Sequence, residues 1–410
     1  MRDFIKKTPR LYFYRWLLWW FQPIYKFMFK FRAEGLEFVP EDGPFLLIGN
    51  HSHKLDPFFI GGLIRKPIFQ LASDEFFRIP LMRRFMWAMG AFPFSKSGVD
   101  MRAMRYAISL VRRGHTLAIY PERGRNWDGQ TRPVLKATAG MVKILNIPVV
   151  AAVSECNYIA WPRWANRARK CPITVHFSEP VVFDKKATKE EIVAWMQRAI
   201  DHNDNDSEPE WIRGKRPAEG LTRLLWRCPA CRALEGLVER RGERLWCSSC
   251  GKEWEVNLAC RMREAGMETW KTIKEYADLM FREEEIVPLE GSFGGLLEEG
   301  EQVFLESSRV TLYKQPKYPK LKKIDDGKLL LTDRGLVFMK NRDGRGMRFR
   351  FNDIVGESTE KNYIFQIALK PDLEKPGDEG IRRFEMKHES CLKWELLFNH
   401  VQDRSRTARE

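Results

Sequence analysis

The sequence has no long apolar run. Between residues 11 and 31 it reads LYFYRWLLWWFQPIYKFMFKF, and the apolar stretch before Gln22 is only 11 residues and already contains Arg15. About 20 apolar residues are needed to span a bilayer, so a crossing helix is not expected. Nor does a small-residue cleavage site follow an apolar core near the N-terminus, which argues against a secretory leader. Cysteine is scarce: there are eight, and four of them fall in two Cys-x-x-Cys pairs. That clustering speaks for metal ligation in a reducing compartment and against a disulfide framework. Acidic residues are short in one half only. Residues 1–200 hold 32 Lys and Arg against 16 Asp and Glu, whereas residues 201–410 hold 38 against 39. The first half is therefore expected to meet an anionic surface or substrate, with nucleic acid and an acidic membrane leaflet both open on charge alone.

What is present is enough for real cores. The chain is 44% hydrophobic and 12% aromatic over 410 residues, which suits two or three globular domains. In the N-terminal stretch, Arg15, Gln22, Lys26 and Lys30 follow one another at spacings of seven, four and four. On a helix they share one stripe roughly 80° wide, and Trp, Tyr, Phe and Leu cover the rest. Pro23 breaks the helix midway. Residues 1–35 are thus expected to lie in a membrane interface, the alternative being an aromatic helix packed on a domain core.

Apolar runs at 45–49, 68–72, 116–120, 148–153 and 173–177 read as strands. Helical patterns alternate with them, most clearly from Asp100, a fitting N-cap, to a stop at Gly114. The alternation predicts an α/β domain with ligands gathered at the carboxyl ends of strands. There are only seven histidines, yet two of them stand with an aspartate in LLIGNHSHKLDPFFI, residues 46–60. His51 and Asp56 can face each other across a tight turn, the carboxylate holding one ring nitrogen while the other accepts a proton from a hydroxyl. On spacing alone the aspartate could equally cap a turn, and His51 with His53 could hold a metal, although no further ligand stands nearby. A second motif, LAIYPERGRNWDG, ends a strand in Pro121, Glu122, Arg123, Gly124 and Arg125, where arginines could clamp a phosphate or form a solvated basic loop. A third, GAFPFSKSG, carries Lys96 in a segment rich in Gly and Ser.

Taken in order, Asn50-His51 through Asp56, Gly90 to Lys96, Tyr120 to Arg125, and Ile147-Pro148-Val149-Val150 resemble the ordered blocks of the glycerolipid acyltransferase family, the lysophosphatidic-acid acyltransferase group often called PlsC-like. The likeness covers about residues 10–200. It implies an α/β domain with a mixed sheet flanked by helices, in which His51 is the general base and Asp56 orients it. It makes His53 a bystander. The implied donor is acyl-CoA or an acyl carrier protein, and the implied acceptor is the free hydroxyl of a lysophospholipid, above all 1-acyl-glycerol-3-phosphate. Lys96, Arg123, Gly124 and Arg125 would surround the acceptor phosphate, Glu122 would fix the loop or touch the glycerol, and Lys136 matches a basic residue common after the third block. The chain departs from the family at Arg123 and Gly124, where the loop glycine has moved by one place, at Lys96 in place of arginine, and at Ala151 in place of a proline. The altered loop leaves room for another acceptor, such as a lyso-aminolipid.

A polar stretch at 204–221 reads as a linker. Cys228, Cys231, Cys247 and Cys250 then form two knuckles separated by 15 residues, and hairpin-like runs between and after them resemble a zinc ribbon over 222–258. Four thiolates leave no open coordination position, so the expected Zn²⁺ is structural. With near-balanced charge and no basic-aromatic face, no nucleic-acid partner is expected here. Residues 259–287 are expected to form one connecting helix. Successive strands and a final helix over 288–404 resemble a PH or GRAM-like barrel, with a protein or an anionic lipid as its partner. The chain as a whole is expected at the cytoplasmic face of a membrane as a peripheral acyltransferase, the rival being an inactive scaffold of the same fold.

Overall fold

The computed structural model describes residues 19–20, 23, 27–64, 66–95, 100–122, 124–291, 293, 297–342, 344–370 and 380–407. Most of the expected membrane-interface segment, Lys96 and Arg123 lie outside these residues. No helix among the described residues is long and apolar enough to cross a membrane.

The first half is built on a seven-stranded mixed sheet, β1 (Arg32–Glu34), β2 (Leu46–Gly49), β3 (Ile68–Ser73), β4 (Ala91–Phe94), β5 (Thr116–Ile119), β6 (Val149–Glu155) and β7 (Thr174–Phe177). Their order in space is β1-β7-β6-β2-β5-β3-β4. The five strands from β6 to β4 run parallel, whereas β7 is antiparallel to β6. Parallel strands are covered on both faces and read as near-continuous apolar runs. The two-residue period divides them. Leu46, Ile48, Leu117, Ile119, Val149 and Ala151 pack on one face with Ala107 and Leu110 of helix Met101–Val111, Val142 of Lys136–Leu145 and Met196 of Lys189–Ile200. Phe45, Leu47, Ala118, Val150 and Ala152 pack on the other with Ile60 and Ile64. Each such buried aliphatic side chain contributes about 1.5–3 kcal/mol. Asp100 caps its helix as expected, accepting from the backbone N–H of Arg102 at 3.1 Å and Ala103 at 3.0 Å. The short edge strands β1 and β4 were not anticipated.

Beyond the sheet, the 204–221 stretch is no free spacer. Asp204 is buried and accepts from the backbone N–H of Cys156 at 2.7 Å and Tyr158 at 2.5 Å. The ribbon that follows has five antiparallel strands, β8 (Leu237–Arg240), β9 (Arg244–Cys247), β10 (Glu253–Val256), β11 (Arg261–Glu264) and β12 (Lys271–Thr272). The single connecting helix expected over 259–287 is therefore corrected. Its beginning is a ribbon strand, and only Ile273–Ala277 is α-helical. Helical propensity in that stretch yields to tertiary pairing: Val256 faces Met262, Met262 is fully buried, and Gly266 turns the chain at φ +86°. One apolar cluster joins Trp127, Tyr158 and Trp164 of the first half to Leu225, Leu245 and Trp254 of the ribbon and Cys391 of the last helix.

The C-terminal part is an antiparallel sheet of β13 (Val303–Lys317), β14 (Lys320–Thr332), β15 (Gly335–Lys340), β16 (Gly346–Arg350), β17 (Ile354–Glu360), β18 (Ile364–Leu369) and β19 (Ile381–Glu385), ordered β16-β15-β14-β13-β19-β18-β17. Helix Cys391–Thr407 packs Trp394, Leu397, Phe398 and Val401 into its core. This sheet is clamped to the first half by ions. Arg78 donates to Gln315 at 2.6 Å and to the Pro319 carbonyl at 3.1 Å, Arg163 donates to Thr359 Oγ1 at 2.9 Å, and Arg383 pairs with Glu75. Burial pushes the Glu75 carboxyl up, but the hydrogen bond and charge of Arg383, joined by Lys361, pull it down to about 2 from its ordinary 4.5. A carboxylate with a depressed folded pKa binds fewer protons folded than unfolded. Its stabilisation is complete above about 4.5 and is lost as pH falls toward 2. Asp74 beside it acts in the opposite sense, lifted to about 6 by burial against the pull of Arg78. Glu75→Gln should therefore cost about 3 kcal/mol at pH 7. In urea titrations its deficit relative to wild type should shrink as pH drops below about 4.5; a deficit constant with pH would show that the pair does not hold the sheet.

Candidate active site

Because β2, β3, β4, β5 and β6 are parallel, the loops after them all open on one edge, and His51, Asp56, Glu122 and Arg125 meet there. Gly49 ends β2 where a Cβ would come within 2.8 Å of the Ala152 carbonyl, so only glycine lets the strand close against β6. Asn50 prolongs that pairing with its side chain, donating to the Ser154 carbonyl at 3.0 Å and accepting from the Ser154 N–H at 2.8 Å. His51 comes next, already in register. Its N–H donates to Glu122 Oε1 at 2.5 Å, and its carbonyl accepts from the Asn126 N–H at 2.9 Å. Its ring lies against Tyr120, centroids 4.5 Å apart.

Asp56 opens helix Asp56–Leu63 and is wholly buried. Its Oδ2 accepts from His51 Nδ1 at 2.8 Å and from the backbone N–H of Ser52 and His53, each at 3.0 Å. Its Oδ1 accepts from Asn157 Nδ2, supplied by the loop after β6. A carboxylate can only accept, so His51 Nδ1 carries the proton and Nε2 the lone pair. The imidazole is 20% exposed, open enough for an incoming hydroxyl. The arrangement can orient a general base and stabilise the imidazolium that forms.

His53 is set apart from this chemistry. It is fully buried between the rings of Phe29, Phe59 and Trp161, and its Nδ1 accepts from the Leu55 N–H at 3.0 Å. Burial, with Arg125 and Lys54 adding to it, holds its pKa well below the ordinary value, so it stays neutral. Among the described residues, no group of three or more metal-ligating side chains includes either histidine.

In the third motif, Glu122 is buried and engages both carboxylate oxygens with backbone, Oε2 accepting from the Arg132 N–H at 2.7 Å. That geometry ties the loop to the backbone of His51 and Arg132. Burial pushes its carboxyl up to about 8 despite those two hydrogen bonds. Gly124 is buried beside it. Arg125 presents a buried Nη1 without a protein partner, and burial followed by the charge of Arg163 lowers its pKa to about 9. A guanidinium with an uncommitted buried donor suits an anionic ligand. Lys136 stands exposed at the start of helix Lys136–Leu145. Asn157 and Arg163 escaped the sequence reading. Asn157 could have been found as a polar residue just beyond a parallel strand, whereas nothing in WPRWANRARK marks Arg163, whose guanidinium donates to the Arg125 carbonyl at 2.9 Å and lies over Trp127.

The four sulfurs of Cys228, Cys231, Cys247 and Cys250 lie within 4.8 Å of one another, with Cys228–Cys250 at 3.8 Å and Cys231–Cys247 at 3.7 Å. A tetrahedral ion with metal–sulfur bonds of about 2.3 Å has sulfur–sulfur edges of roughly 3.8 Å, so the set fits zinc. Cys156, Cys171, Cys260 and Cys391 are buried free thiols.

Residues 30–155 match the family model described as Acyltransferase. A 1-acyl-sn-glycerol-3-phosphate acyltransferase of Borreliella burgdorferi is 28% identical over 114 residues, 27% of this chain and 46% of that protein. A chloroplastic 1-acyl-sn-glycerol-3-phosphate acyltransferase of Brassica napus is 30% identical over 138 residues, 32% of this chain and 39% of that protein. The chain thus spans less than half the length of these relatives. Among solved structures, the 1-acyl-sn-glycerophosphate (LPA) acyltransferase PlsC from Thermotoga maritima aligns with a TM-score of 0.37 at 21% identity, over 48% of this chain and 76% of that one.

Proposed function

We propose, from a chain whose residues 30–155 match the Acyltransferase family model, that this protein moves a fatty acyl group from a thioester donor, acyl-CoA or an acyl carrier protein, to the free hydroxyl of a lysophospholipid. The acceptor we favour is 1-acyl-glycerol-3-phosphate, giving phosphatidic acid. The observation that carries this reading is the His51–Asp56 pair on the carboxyl edge of the parallel sheet, beside the uncommitted donor of Arg125.

In the proposed reaction, His51 Nε2 takes the proton of the acceptor hydroxyl as its oxygen attacks the thioester carbonyl. Collapse of the tetrahedral intermediate breaks the carbon–sulfur bond, and the departing thiolate takes the proton back from the imidazolium. Asp56, held by Asn157 and two backbone N–H groups, steadies the ring throughout. Arg125 and Lys96 neutralise the acceptor phosphate, with Arg123 and Lys136 adding to the positive field. No enzyme residue becomes acylated. The four cysteines hold a structural Zn²⁺, and the C-terminal sheet with its closing helix serves as a PH or GRAM-like module toward a protein or an anionic lipid. The protein works at the cytoplasmic face of a membrane, the N-terminal aromatic segment lying in the interface.

The test is turnover of the purified full chain with labelled acyl-CoA and a panel of acceptors, phosphate-bearing and phosphate-free. Product from lysophosphatidate above that from neutral lyso-lipids is expected. Product from a lyso-aminolipid alone would reassign the acceptor. A background no higher than that of His51→Ala on every acceptor would favour the scaffold.

A further inference from the structure

A second apolar feature shares the edge that carries His51. After β3 the chain turns through Asp74–Phe77 into helix Pro80–Ala88, and its outer side is apolar: Phe76 is 47% exposed, Ile79 61%, Leu81 77% and Met82 38%. Four large apolar groups this close together do not belong on a water-facing surface. The same helix turns Met86 inward, so it is not short of a core.

What borders the patch is cationic. Arg84 is exposed on the same helix. The tip of the β13–β14 hairpin is locked against the turn, because Arg78 donates to the Pro319 carbonyl and the Tyr318 hydroxyl donates to the Asp74 carbonyl at 3.2 Å. That contact brings exposed Lys320 and Lys322 to the border of the patch. The acidic neighbours are already engaged: Asp74 and Glu75 pair with Arg78, and Glu75 also pairs with Lys361 and Arg383. An apolar centre bordered by Arg84, Lys320 and Lys322, which form no ion pair among the described residues, matches an anionic bilayer, into which apolar side chains insert while lysine and arginine meet headgroups.

Position adds to the match. β3 lies two strands from β2 in the sheet, so its loop leaves the edge about 10 Å from that of His51. We infer that residues 76–84 and the Lys320–Lys322 hairpin tip form one docking face for an anionic lipid surface, built jointly by the first and last parts of the chain and turned toward the mouth of the site. The inference rests on the acyl-transfer reading only for why a bilayer should stand there. The docking itself is independent of turnover.

Local protection separates this face from any contact made by the N-terminal segment. Hydrogen exchange of the full chain would be followed with vesicles of phosphatidylcholine alone and with vesicles that also hold phosphatidylglycerol. Peptides covering 76–84 and 318–323 should exchange about threefold or more slowly with the anionic vesicles only. High salt should erase the effect. Leu81→Glu with Met82→Glu, both exposed and therefore no burden on folding, should weaken partition about tenfold, and Arg84→Glu should weaken it on anionic vesicles alone. Unchanged exchange in both peptides while the protein is vesicle-bound would overturn the inference, as would equal protection on neutral vesicles. Loss of all turnover with protection intact would sink the acyl-transfer reading and leave the docking face standing.

Discussion

His51→Ala should lower acyl transfer by about 10³-fold with the melting transition almost unmoved. The asymmetry follows from how the residue is held. The bonds that anchor position 51 come from its backbone, through Glu122 and Asn126, and alanine keeps both. What the substitution removes is a partly exposed ring tilted against Tyr120 and its Nδ1–H bond to Asp56 Oδ2, which keeps the backbone N–H donors of Ser52 and His53, a loss of about 1–2 kcal/mol. Asp56→Asn should behave differently. Its two oxygens accept from His51, Asn157 and two backbone N–H groups. An amide would set its own NH₂ against one of these donors, costing about 3 kcal/mol as well as the orientation of the imidazole. Equal turnover of His51→Ala and wild type in a labelled-thioester assay would remove the base from the proposed reaction.

The second large effect concerns the four thiolates. Elemental analysis should find one zinc per chain, and chelation should lower the melting temperature by more than about 10 °C, since structural zinc contributes on the order of 10 kcal/mol. The loss should not stay within the ribbon. Leu245, Trp254 and Cys228 belong to the same apolar cluster as Tyr158, Trp164 and Trp127, and Trp127 stands two residues beyond Arg125 in the third motif. Turnover should fall together with the metal content. Serine at Cys228, which is buried, should act as chelation does. A stripped protein that melts and turns over like the untreated one would show that the ribbon stands without an ion.

Much of this was legible in the residues because local chemistry dictated it. Alternating apolar runs located the five inner strands to within a residue or two, and the capping chemistry of Asp100 located a helix start. The spacing of His51 to Asp56 left a turn cap and a catalytic pair open. In the structure Asp56 caps the turn and holds the imidazole together, accepting backbone N–H groups and His51 Nδ1 with the same oxygen. What stayed hidden depends on contacts distant in sequence. Asn157 reaches Asp56 across 101 positions, and Arg163 reaches Thr359 across 196. The helix expected after Cys260 gives way for the same cause, because Arg261–Glu264 becomes a strand when Trp254 to Val256 offer it an edge.

The cluster that runs through Trp127, Trp164, Leu225, Trp254 and Cys391 makes the second half of the chain a builder of the first. Severing the chain after residue 203 would expose tryptophans and tyrosine now wholly dry, and the shortened product should aggregate instead of working as a minimal enzyme. Any grafting of the first half onto another carrier would have to bring along the ribbon and the last helix. Gene fusion or recombination that parted them would be selected against for reasons of solubility before reasons of chemistry.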